Sequence, residues 1–152
     1  MMNITGLLIS SVFFLRIFSP IAVEDVRSNY SKLVSNRALC ERMIGELMES
    51  KNNSATHLGY LGGLQTIWAN HVFSPISKLK TFREGKKNIE KAIKKEPENV
   101  ELRFIRLSVQ KNAPSFLGYK SNINEDSAFI KENSLQIRSE ILLKMIGTLL
   151  KD

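Results

Sequence analysis

Arg103 and Arg106 are the residues with the most chemistry to offer. They stand three apart in a segment rich in apolar side chains (VELRFIRLSVQ, residues 100–110), with Gln110 about one helical turn further on. A guanidinium among apolar neighbours needs a carboxylate or a set of carbonyl oxygens. Two arrangements meet that need. Glu125 and Asp126 would pair with the arginines inside the protein, or the arginines, Gln110 and Tyr119 would line a pocket for an anion or a partner. A second basic feature lies upstream. Lys80, Arg83, Lys87, Lys91 and Lys94 recur at helical spacing, and residues 78–95 hold eight basic and two acidic side chains, a local charge of +6. Such a face suits an anionic surface, membrane lipid or acidic protein, or is a solvated helix face rich in lysine. Nucleic acid is set aside as a partner, because no aromatic residues interleave with the lysines to stack on bases.

Other chemistries find little footing. His57 and His71 are 14 residues apart without an HExxH-type spacing, and Cys40 is the only cysteine. The sequence therefore offers no metal ligand set and no disulfide framework. Cys40 falls on an apolar helical face, the usual setting of an inert thiol. No nucleophile has a base in its local context, so the chain reads as a non-enzymatic protein without a cofactor. A small enzyme directing Arg103, Arg106 and Tyr119 at an anionic substrate is the distant third reading.

The elements that must position these residues are helical. The 152 residues suit a single domain with a real core. The 22 Lys and Arg against 15 Asp and Glu give +7, an argument about association rather than fold. Residues 1–22 stand apart: residues 4–15 (ITGLLISSVFFL) are uncharged and mostly apolar, and Arg16, Pro20 and Ala22 follow. This leader resembles a secretory signal cut near Ala22, with an uncleaved anchor and a buried N-terminal helix as the alternatives. Arg16 would cost an anchor about 2.5–3.5 kcal/mol within the span. Residues 23–152 then form one helical domain, exported to the periplasm or cell envelope.

Along that domain, residues 24–50 read as helix, with Val26, Tyr30, Leu33, Val34, Cys40, Ile44, Leu47 and Met48 on one face and a break at Ser35-Asn36. A second helix covers residues 55–71, with Gly62 and Ala69 small enough for another helix to approach and Trp68 in the core. Residues 72–77 are a loop around Pro75. A third helix follows, turning Leu79, Phe82, Gly85, Ile89, Ala92 and Ile93 inward until Pro97 ends it. Asn99 caps a fourth helix over residues 100–111, apolar on several sides and hence central. The loop 112–122 carries Phe116, Leu117 and Tyr119, which look exposed and read as a lid on the core in preference to a binding patch. A short helix from Asn124 to Glu132, capped by Asn124, and a closing helix over residues 135–150 complete the chain. No segment shows strand periodicity, so the fold class is all-α.

The stretch 85–99 resembles the second helix of a tetratricopeptide repeat and its junction with the next repeat. Gly85, Ile89, Ala92 and Pro97 carry the small, large, alanine and proline positions, and Cys40, Ile44 and Leu47 echo the spacing about 45 residues earlier. The period exceeds the usual 34, and Arg103 and Arg106 stand where large apolar residues are normal. The resemblance implies an irregular stack of antiparallel helix pairs plus a C-terminal closing helix. It also implies a scaffold whose groove, lined by the first, second and fourth helices, holds a protein or peptide. The layout is similar to that of small exported bacterial proteins. The alternative is a membrane-surface protein held by an uncleaved N-terminal helix and the basic face.

Overall fold

The computed structural model describes residues 22–151 and is all-α, with seven helices and no strand among the described residues. The expected signal or anchor, residues 1–22, lies outside the described residues but for Ala22. Helix α1 (Val23–Asn29) runs into a single 3-10 turn, and α2 (Arg37–Glu49) starts afresh. The break falls where expected because the Asn36 side chain accepts the Leu39 N–H at 3.0 Å and so begins a new helix. The reset moves two residues off the buried face. Val34 lies in the turn and Met48 on the outer side of α2, and both are exposed.

Helices α3 (Ala55–Trp68) and α4 (Pro75–Lys95) form an antiparallel hairpin. Helix α4 begins earlier than the sequence suggests. Pro75 opens it, since the first turn needs no N–H from that residue, and the Ser74 hydroxyl accepts the Ser77 N–H. The hairpin seam is backbone against backbone. A Cβ added to Gly62 would stand 2.6 Å from the Gly85 carbonyl oxygen and 2.8 Å from Ile89 N. A Cβ on Gly85 would stand 2.5 Å from the Gly62 carbonyl oxygen. Phe82, Ile89, Ala92 and Ile93 extend the seam and are buried, as their spacing requires.

Helix α4 ends at Lys95, before Pro97, and Asn99 caps α5 (Val100–Asn112) by accepting the N–H groups of Glu101 and Leu102. Helix α5 is buried on most sides, packed against α3, α4 and α6 (Ile123–Asn133). Two boundaries differ from expectation. Helix α6 follows Asn122 rather than Asn124, because Asn122 is held by Gln110 and donates to Glu125. The closing helix α7 is only Glu140–Leu149, because the Ser139 hydroxyl caps it by accepting the Leu142 N–H. Leu142 and Ile146 of α7 are buried, and α7 meets both α1 and α5.

Trp68 is half-buried at the end of α3, beneath the Arg37 guanidinium. The two histidines tie the N-terminal helices to the hairpin: His57 Nε2 donates to the Leu47 carbonyl of α2 at 2.9 Å and His71 Nε2 to the Leu33 carbonyl, in the turn before α2, at 2.8 Å. Arg27 makes a fork to the buried Glu101, which also accepts the Tyr60 hydroxyl. This knot fastens α1 to α3 and α5. No helix among the described residues is long and apolar enough to cross a membrane.

Candidate functional site

The arginines of α5 meet their carboxylates. Arg106 donates from Nε and Nη2 to the two oxygens of Asp126, each at 2.7 Å, and from Nη1 to Glu90 at 3.1 Å. Arg103 reaches Glu125 at 2.9 Å and Asp126 at 3.1 Å, caps the Pro97 carbonyl and lies over the Phe129 ring. Asp126 is wholly buried, so its two guanidinium partners are what makes its charge tolerable there. Burial works against the Arg106 charge, but the hydrogen bond and charge of Asp126 outweigh it and raise the Arg106 pKa. Glu125 is exposed; hydrogen bonds from Asn122 and then Arg103 lower its pKa. Two guanidiniums thus face three carboxylates, Asp126, Glu90 and Glu125. An incoming anion would have to displace one of them.

Tyr119 belongs to the same cluster and is 3% exposed, not an outward loop residue. Its hydroxyl donates to Glu90 at 2.6 Å, and its ring meets Phe82 edge-on. Burial, then the neighbouring Glu90, raises its pKa. Gln110 sits one turn along α5 and exchanges hydrogen bonds with Asn122 rather than joining the arginines. The structure therefore gathers Arg103, Arg106 and Tyr119 into one internal network and leaves Gln110 beside it. Its effect is mechanical: it clamps the loop between α5 and α6 onto α4.

The loop itself turns two ways. Gly118 adopts a left-handed φ of 61°, which a side chain would strain. That kink sends Tyr119 inward while Phe116, two residues earlier, is 86% exposed. The lid reading is therefore corrected: Tyr119 is the anchor, Leu117 is half-buried, and Phe116 points into water. Between the loop and α4 lies a shallow cleft of about 410 Å³, lined by Leu79, Phe82, Arg83, Lys86, Phe116 and Leu117. Its floor is apolar and one wall is cationic. Arg83 makes no ion pair among the described residues, and Lys86 rests over the Tyr119 ring, 4.8 Å from its centre.

Lys80, Arg83, Lys87, Lys91 and Lys94 are all exposed, on the side of α4 away from the seam. Of these only Arg83 lines the cleft. Sequence spacing did not single out Lys86, and the sequence reads Phe116 as part of a lid in preference to a binding patch. A sign was present: Leu79, Arg83 and Lys86 follow three- and four-residue steps, so one flank of α4 mixes apolar and basic side chains.

Cys40 is buried 3.8 Å from the Leu64 carbonyl, and burial, helped by the Glu41 charge, pushes its pKa up to about 12. It is a packing residue at neutral pH. Among the described residues no group of three or more His, Cys, Asp or Glu side chains converges as a metal site would require. Comparisons with family models, with curated proteins and with solved structures return no match to this chain.

Proposed function

We propose that this protein is a non-enzymatic interaction module, an irregular tetratricopeptide-like scaffold that holds a protein or peptide partner. The observation that carries the reading is the cleft beside α4. A large aromatic, Phe116, stands in water beside Arg83, which makes no ion pair among the described residues, on a loop held from behind by the Tyr119–Glu90 hydrogen bond. Single exposed apolar residues are ordinary, but a rigid loop presenting one at the rim of an apolar cleft is a common form of binding surface. This moves the docking surface from the groove of the first, second and fourth helices to the outer flank of α4. Arg103, Arg106 and Tyr119 enter the reading as positioning residues. The apolar leader supports an envelope setting, as periplasmic or anchored protein.

Site-specific photo-crosslinking in the producing cell tests it. A photoreactive phenylalanine at position 116 should give a discrete adduct, and one at the even more exposed Leu135 should not. Matching adducts at both positions, or none at 116, would remove the cleft from consideration.

A second reading keeps the protein at a membrane surface. It is favoured by the row of exposed lysines on α4 and by Phe73 and Ile76, 88% and 82% exposed at the start of that helix. Vesicles with and without anionic lipid distinguish it, since this reading requires sedimentation with the anionic ones.

A further inference from the structure

We infer that the occupant of the α4–loop cleft is an acidic segment of a partner protein that inserts a large apolar side chain between Leu79, Phe82 and Phe116. The inference rests on the interaction-module reading and names its ligand chemistry.

Charge complementarity is the first argument. Residues 78–95 carry eight basic against two acidic side chains. Of the two acids, Glu90 is already engaged by Arg106 and Tyr119. Arg83 and Lys86 stand at the cleft wall, and among the described residues neither pairs with a carboxylate. Carboxylates placed beside them would be attracted without displacing a carboxylate of the described residues.

Shape is the second. Leu79, Phe82 and Leu117 give the shallow cleft an apolar lining, and about 410 Å³ accommodates one or two side chains. A bilayer surface offers nothing to fill a cleft, and a bare phosphate gains nothing from an apolar lining. An acidic peptide with an apolar anchor satisfies both halves of the site.

Preorganisation is the third. Tyr119 is held by Glu90 and by Phe82, and the 3-10 turn Ser115–Leu117, closed by the Leu117 and Gly118 N–H groups donating to the Pro114 and Ser115 carbonyls, sets the Phe116 backbone, so less backbone ordering is left for the partner to impose.

The test is selection from a displayed random peptide library on the purified full chain, counter-selected on Arg83→Glu/Lys86→Glu. Enriched peptides should carry Asp or Glu flanking Leu or Phe. Synthetic versions should bind at least about tenfold more weakly when their acids become amides, or when Phe116→Ala replaces the wild type. Lysine-substituted peptides should recover binding to Arg83→Glu/Lys86→Glu, a rescue that a misfolded variant could not give. Neutral or basic winners, or no enrichment, overturn the inference. So does sedimentation of the chain with phosphatidylglycerol vesicles when no peptide binds, which transfers the cleft to a membrane. If the acidic occupant fails but crosslinking at position 116 still yields a site-dependent adduct, the interaction-module reading stands alone; if both fail, it falls as well.

Discussion

The two sides of the loop between α5 and α6 differ in one physical respect. Behind it, each charge is matched: Arg103 and Arg106 are shared among Asp126, Glu125 and Glu90, and Tyr119 closes the set. In front of it, Arg83 has no carboxylate partner among the described residues and Phe116 faces water. Matched and buried charges hold geometry, because separating them leaves an uncompensated ion in a poor solvent. Unmatched and solvated ones cost the fold little and remain available to a partner. The arginines that look most like a site are thus the frame, and the proposed site is the surface that the frame displays.

Substitutions should separate the two sides by magnitude. Asp126→Ala removes the two-oxygen partner of the buried Arg106, leaving it Glu90 alone, and takes one of two carboxylates from Arg103, and should cost about 3–5 kcal/mol in urea unfolding. A loss below about 1 kcal/mol would mean that the network does not hold the loop. The hairpin seam comes next. Gly85→Ala forces a Cβ to 2.5 Å from the Gly62 carbonyl and should destabilise by about 1–3 kcal/mol or more. Gly45→Ala, with nothing within 4 Å, should instead stabilise α2 by about 0.5–1 kcal/mol. Equal effects at the two glycines would refute the close crossing.

A pH titration probes the interior without mutation. Burial raises the Tyr30 and Cys40 pKa values from 10.0 and 9.0 to about 12, so the unfolded chain releases these protons first. Their contribution to stability is complete below about pH 9 and is lost progressively as pH rises toward 12. Thermal melts across that window should show falling stability, and native Cys40 should resist thiol reagents at pH 8 until denaturant is added. Rapid native labelling would contradict its burial. The smallest effect on stability belongs to the front: Phe116→Ala should change unfolding by no more than about 0.5 kcal/mol. A larger loss would make Phe116 part of the core and not of the surface.

Much of this was legible in the chain. Of the inward row Leu79, Phe82, Gly85, Ile89, Ala92 and Ile93 all but the half-buried Leu79 are buried, and with the Asn99 cap and the Asn36 break they follow from local spacing and side-chain hydrogen bonding. The pairing of Arg103 and Arg106 with Glu125 and Asp126 was one of two arrangements that their apolar setting allowed. The start of α4, the shortness of α7 and the exposure of Val34 and Met48 were not legible, because each depends on which of several serines or asparagines wins a helix cap.

What the sequence determined by itself is the class of structure: helices, their buried stripes and the excess of positive charge on α4, since all three depend on residues within a few positions of one another. Only the tertiary structure decided that Glu90 and Asp126 take up the α5 arginines, that Glu101 joins Arg27 and Tyr60, and that Phe116 and Arg83 are left facing a shared cleft. Those outcomes bring together groups up to 74 residues apart in the chain, and a period of three or four residues carries no information about which distant partner arrives.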